Sequence, residues 1–235
     1  MAAARTRAIA RVAALGAPLL VLLATGCSAE REASSAPPSS EVAVAGSVGA
    51  APPTSADTMI DVDTVAMVGD SITVGSEEEL VAAFGEIGLP DAEIDAESGR
   101  RMVVDNGVTA GLQGIADVLA DGAQPDLWVI ALGSNDVAGY TVEEYPAAID
   151  ELLAAIPADA PLVWVDCYLT NYPEASAAFD ATLREVLAAR GNATVVDWAS
   201  VAREDGVLTD NVHPSGFGRL EFARRVTAAV DAWMS

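Results

Sequence analysis

The sequence predicts an α/β fold: a five-stranded parallel sheet with helices on both faces. Three observations predict it. From Met59 onward, short apolar runs alternate with longer segments of helical period, and that alternation builds parallel sheets with right-handed crossovers. The clearest runs are apolar at every position, as suits strands covered on both faces. The stretch Val65-Ala66-Met67-Val68-Gly69-Asp70-Ser71 is such a run, cut short by a glycine and followed by a hydroxyl. In open parallel sheets, ligands bind beyond the carboxyl ends of the strands.

The elements follow in order. Val65–Val68 is the first strand, and Gly69 permits the turn that ends it. Glu77 to about Gly88 reads as a helix whose first turn carries Glu77, Glu78 and Glu79, where negative charge is welcome. Ala92–Ala96 is a short second strand. Asp105–Gly122 reads as a helix, because Val108, Leu112, Ile115, Ala116 and Leu119 share one face. Leu127–Leu132 is a third, wholly apolar strand. Val142–Ile156 is a helix with Pro146 near its start. Leu162–Val165 is the fourth strand, and Ala175–Arg190 a helix closed by Gly191. Ala193–Val196 is the fifth strand, and Phe217–Met234 the last helix. Residues 59–235 thus form one domain.

The chain before it is of a different kind. Arg5, Arg7 and Arg11 precede an apolar run, Val12–Leu23, too short for a membrane span. That is the pattern of a signal peptide over residues 1–26. The run ends in Leu23-Ala24-Thr25-Gly26-Cys27, which resembles a lipoprotein signal with Cys27 as the lipidated residue. The expectation is export across the cytoplasmic membrane and anchoring to its outer face. Residues 27–58 are rich in Ala, Ser, Pro and Gly without period, and read as a disordered tether.

Charge excludes some partners. All twelve basic residues are arginines, set against 35 acidic residues, for a net charge of −23. Loss of residues 1–26 removes three arginines and no acid, taking the charge to −26. Such a surface repels nucleic acid and anionic lipid. Cys27 and Cys167 lie in unlike contexts, so no disulfide is expected; Cys167 reads as a buried thiol. Oligomeric state is not readable.

Ser71 is open to two readings, a helix N-cap or a nucleophile. What favours the second lies elsewhere in the chain. The strand ends carry Gly69-Asp70-Ser71, Ser98-Gly99-Arg100-Arg101, Gly133-Ser134-Asn135-Asp136 and Asp210-Asn211-Val212-His213. His213 is the only histidine, so any imidazole chemistry must use it. A serine needs a base to take its proton, and a carboxylate three residues before the histidine can hold the ring. The Ser71 and Gly99 amides and the Asn135 side chain are candidate oxyanion donors. Asp70 and Asp136 read as scaffolding that bonds loop amides. Arg100 and Arg101 are either paired with nearby acids or meet an anionic part of a substrate, Arg100 being the candidate binding residue. Tyr168, Asn171 and Tyr172 are candidates to line the pocket; Trp128 and Trp164 read as core.

These four blocks, in this order, resemble those of the SGNH (GDSL-like) hydrolases, and the resemblance spans nearly all of 59–235. It implies a three-layer, flavodoxin-like sheet of five parallel strands. It implies Ser71 as nucleophile, His213 as base, Asp210 as its partner, and Ser71, Gly99 and Asn135 as the oxyanion hole. It implies no metal and no organic cofactor. The expected activity is hydrolysis of short acyl esters, acetyl foremost, on a small ester or an acylated carbohydrate, because short loops leave little material for a lid or a deep lipid tunnel. Two alternatives use the same chain: transfer of the acyl group to a sugar hydroxyl, or binding without catalysis.

Overall fold

The computed structural model describes residues 59–234. The signal peptide, Cys27 and the tether lie outside the described residues. Five strands form one parallel sheet: β1 (Val65–Gly69), β2 (Glu93–Ala96), β3 (Leu127–Ala131), β4 (Leu162–Val165) and β5 (Ala193–Val196). The spatial order is β2-β1-β3-β4-β5, with Met67 opposite Ile94 on one side and Val129 on the other. The chain leaves β1 toward one edge to make β2, then returns past β1 to make β3. The carboxyl ends of β1 and β3 therefore flank the point where the winding reverses, and crevices for ligands open there.

Strand alternation splits the core in two. Met67, Val129 and Val163 face one side, where they meet Leu80 and Phe84 of α2 (Glu77–Glu86) and Phe222, Val226 and Val230 of α7 (Gly216–Asp231). Ala66, Val68, Trp128, Ile130 and Trp164 face the other side. There they meet α3 (Gly111–Ala120), α4 (Tyr145–Leu153) and α5 (Pro173–Arg190) through Ile115, Ile149, Leu152, Phe179 and Leu183. Trp128 and Trp164 have no exposed surface, as core residues should. Among the described residues, no helix is long and apolar enough to cross a membrane.

Several boundaries differ from the sequence reading, two of them by several residues. The helix expected over 105–122 begins only at Gly111, because Asp105 and Asn106 accept the amides of Gly107 and Val108 two residues on. Such side-chain turns compete with the helix. The helix expected over 142–156 is trimmed to Tyr145–Leu153, with Pro146 in its first turn. Two short helices were not foreseen, α1 (Ser71–Gly75) and α6 (Ala199–Ala202); neither is long enough to display a period. The need for glycine at position 69 is also of another kind than expected. Its backbone is ordinary, but a Cβ there would collide with the Thr73 side chain from α1.

Candidate active site

The end of β1 presents Ser71. Asp70 continues the strand in extended conformation, and its Oδ1 accepts the Ile72 amide at 2.9 Å. Asp70 is therefore the cap of α1, and the capping reading of Ser71 is set aside. Ser71 becomes the first helical residue, whose amide has no partner within a helix. Among the described residues that amide has no acceptor.

The turn between α6 and α7 presents His213. It is closed by a bridge between Leu208 and Pro214 and by Thr209, whose amide and hydroxyl both donate to the His213 carbonyl, at 2.8 and 3.0 Å. Thr170, after β4, docks the turn through two bonds to Asn211. Inside the turn, Asp210 Oδ1 accepts the amides of Val212 and His213 at 2.8 Å. Its other oxygen, Oδ2, stands 2.8 Å from His213 Nδ1, and His213 Nε2 stands 3.0 Å from Ser71 Oγ. A carboxylate beside Nδ1 assigns the ring proton there, so Nε2 is free to accept from the hydroxyl. Those donors, the His213 amide first, hold the Asp210 carboxyl down at about 2, so it is ionised at neutral pH. The side chains of His213 and Asp210 are 46% and 52% exposed, which makes the site open at the surface rather than sunk in a tunnel.

The turns after β2 and β3 form the facing wall. Gly99 has φ +84, in the left-handed region, while a Cβ there would have room, 3.7 Å from Val108. Backbone direction, not crowding, calls for glycine at this position. Its amide also has no acceptor among the described residues. Asn135 sends Nδ2 toward the Arg100 carbonyl at 3.1 Å and Asp70 Oδ2 at 3.2 Å. Ser134 Oγ donates to that same Asp70 oxygen. Asp136, fully buried, accepts the Met102 amide and Arg101 Nε, both at 3.1 Å. Both aspartates bond loop groups, as the sequence suggests, but Asp70 does more, since it reaches three separate donors.

The substrate-binding expectation for Arg100 is corrected. The residue is 3% exposed. Its guanidinium forks onto the Asp95 carboxylate at 3.1 and 3.2 Å and also donates to the Asp95 and Thr109 carbonyls. All its reach is spent tying β2 to the start of α3. Arg101 is likewise occupied, by Asp136 and by the Tyr140 ring, 4.6 Å from its Cζ. Of the tyrosines, Tyr168 lies under Arg203, and Tyr172 is 45% exposed at the start of α5. Cys167 is buried.

What these elements assemble is the apparatus of a serine hydrolase: a hydroxyl, a base and an orienting carboxylate linked by two contacts, with unengaged amides at Ser71 and Gly99, at the switch point of a doubly wound sheet. A family model described as the GDSL-like lipase/acylhydrolase family matches residues 67–219. The chain belongs to that family. Among solved structures, it is similar to Est24, a carbohydrate acetylesterase from Sinorhizobium meliloti, with a TM-score of 0.60 and 18% identity over 72% of this chain and 98% of that one. It is similar to an aryl esterase from M. smegmatis, with a TM-score of 0.60 and 16% identity over 73% and 100%. It is also similar to the C-terminal catalytic domain of peptidoglycan O-acetyltransferase A from Streptococcus pneumoniae, with a TM-score of 0.56 and 21% identity over 73% and 92%. A search of curated proteins found no match. The fold is thereby that of the SGNH esterases, and the chain is a serine ester hydrolase of that family.

Several acids near the site are buried. Burial pushes the carboxyls of Asp70, Asp136, Asp166 and Asp180 above the ordinary range, Asp136 to about 6. A raised carboxyl keeps in the native state a proton that the unfolded chain releases near 3.8. Its stabilising effect is complete below that value and is lost as pH rises, through about 6 for Asp136. The melting temperature is accordingly expected to be higher at about pH 5 than at about pH 8. Calorimetry across that range checks it, and a rise toward pH 8 would contradict the reading of these acids.

Proposed function

We propose that the protein is an extracytoplasmic esterase that removes short acyl groups, acetyl foremost, from carbohydrate. The observation that carries the chemistry is the chain of two contacts, 2.8 Å from Asp210 to His213 and 3.0 Å from His213 to Ser71. Ser71 Oγ attacks the acyl carbon while its proton passes to His213 Nε2. The oxygen left with negative charge is met by the Ser71 and Gly99 amides and Asn135 Nδ2, each worth roughly 100- to 1000-fold in rate. The intermediate collapses, the C–O bond to the alcohol breaks, and the alcohol leaves with the proton from Nε2. Water, deprotonated by the same nitrogen, then hydrolyses the acyl-enzyme and restores Ser71. Asp210 holds the imidazole in the required tautomer and stabilises its charged form.

The substrate class rests on three supports. The loops around the site are longer than the sequence suggests, 97–110, 132–144 and 203–215, yet the triad stays open at the surface, as suits a short acyl group. Fold neighbours include a carbohydrate acetylesterase and a peptidoglycan O-acetyltransferase domain. The N-terminal sequence supports delivery to the outer face of a membrane through Cys27, where carbohydrate is at hand. A panel of esters from acetyl to palmitoyl tests the acyl preference: kcat/KM should fall with chain length, and a preference for palmitoyl overturns it. The same acyl-enzyme could instead be resolved by a sugar hydroxyl. An added oligosaccharide separates the two: acetate should appear in solution, not on the sugar. Replacement of Cys27 by alanine should move the protein from the membrane fraction to the soluble one; unchanged membrane retention argues against the anchor.

A further inference from the structure

Asp70 is a buried group beside the nucleophile for which the reaction so far has no use. It is 1% exposed, and the groups bonded to it are neutral donors, not a cation. Oδ1 takes the Ile72 amide at 2.9 Å, while Oδ2 takes the Ser134 hydroxyl and Asn135 Nδ2, the latter at 3.2 Å. One side chain thus touches the helix that begins with the nucleophile and the amide offered to the oxyanion. We propose that Asp70 is a positioning residue, one whose carboxylate fixes the orientation of the Asn135 amide relative to Ser71.

The argument is one of donors and acceptors. The two ends of a side-chain amide are almost equal in shape and opposite in polarity. The pocket around Asn135 presents the Asp70 carboxylate and the Arg100 carbonyl, both acceptors. Only Nδ2 can face them; a flipped amide would set its oxygen against two others. An oxyanion hole needs the nitrogen and not the oxygen of this amide, because an oxygen would repel the charge that develops; with one Nδ2 hydrogen kept by Asp70, the other turns from the Arg100 carbonyl to the oxyanion. The Arg100 carbonyl alone could select the nitrogen, but it belongs to a different turn. Asp70 ties that selection to the β1 end, from which Ser71 also springs. When α1 and Asn135 hang on the same carboxylate, the distance between nucleophile and oxyanion donor is set by the ends of β1 and β3 directly.

This inference rests on the esterase reading, and the experiment separates the two. Asp70→Asn keeps the shape but sets an amide NH2 against at least one of the three donors. Its kcat for an acetyl ester is expected to fall about 10- to 100-fold with KM within about three-fold, as when an interaction made in the transition state is lost. Asn135→Ala alone should cost roughly 100-fold or more. The double variant should be no slower than Asn135→Ala within about three-fold, because Asp70 acts through Asn135. Losses that multiply in the double variant, or an unchanged kcat in Asp70→Asn, overturn the proposal while leaving the esterase reading intact. If Asp70→Asn does not fold, the wild-type protein still decides. The side-chain amide protons of Asn135, assigned in a nitrogen-15 spectrum by their disappearance in Asn135→Ala, should exchange slowly and lie downfield of free asparagine. Fast exchange at the free position overturns it, whether or not any ester is cleaved.

Discussion

Ser71→Ala is expected to lower kcat for acetyl esters by roughly 10^5-fold or more. The hydroxyl makes the bond to the acyl carbon, and no neighbour replaces it: with Oγ gone, His213 Nε2 faces only water. What remains is the stabilisation that the amides give to direct attack by that water, which in serine hydrolases leaves roughly 10^3 to 10^4 over the uncatalysed rate. The fold should not notice, because Asp70, not Ser71, caps α1, so melting should shift by no more than the roughly 0.5 kcal/mol of a neutral surface change. Two measurements check this together: hydrolysis of a chromogenic acetate, and labelling by a fluorophosphonate probe. Wild type should label at one site and Ser71→Ala not at all. Labelling of the variant would move the nucleophile elsewhere. A folded wild type that neither labels nor hydrolyses any ester in the panel would favour the binding-only alternative.

The largest effect on stability is expected at Arg100. Arg100→Ala removes a guanidinium that satisfies the Asp95 and Thr109 carbonyls and the Asp95 carboxylate, and it leaves a void where a 3% exposed side chain stood. Asp95 is 35% exposed, so its freed charge regains water, and that part of the loss is small. The stranded carbonyls and the void together cost about 3 kcal/mol. For a domain of this size that lowers the melting temperature by roughly 6–12 °C. Arg100→Lys should recover little, since one ammonium cannot span a carboxylate and a distant carbonyl together. Melting curves of the three proteins test this. KM for charged and neutral esters should change alike in both variants. A selective loss toward anionic esters would restore the substrate-binding role that the packing removes.

Much of this site was legible before any coordinates, and the reason is specific. A reacting group at a strand end must follow an apolar run and a residue with room to turn, so Ser71 and Asn135 stand out against simple backgrounds, whereas His213 lies in the turn between α6 and α7. A single histidine left no choice of base. The scaffolding was less legible. Gly69 and Gly99 look alike as letters, yet one is demanded by contact with Thr73 and the other by a left-handed backbone. Arg100 and Arg101 looked available because their partners, Asp95 and Asp136, belong to other segments or to the other face of a turn. The clamp of Thr170 on Asn211 spans 41 positions and carries no local signal at all.

By itself, then, the sequence determined the alternation of strand and helix, the parallel sheet and the types of group at each strand end, because these follow from period, turn chemistry and side-chain identity along a few neighbouring residues. Only the tertiary structure decided which groups are free to react and which are spent holding others. Which neighbour caps a helix and whether an arginine reaches solvent depend on where a turn sends side chains only two to nine residues apart, and which end of an amide faces inward depends on partners 35 and 65 positions away; these contacts of about 3 Å are set by packing and not by period.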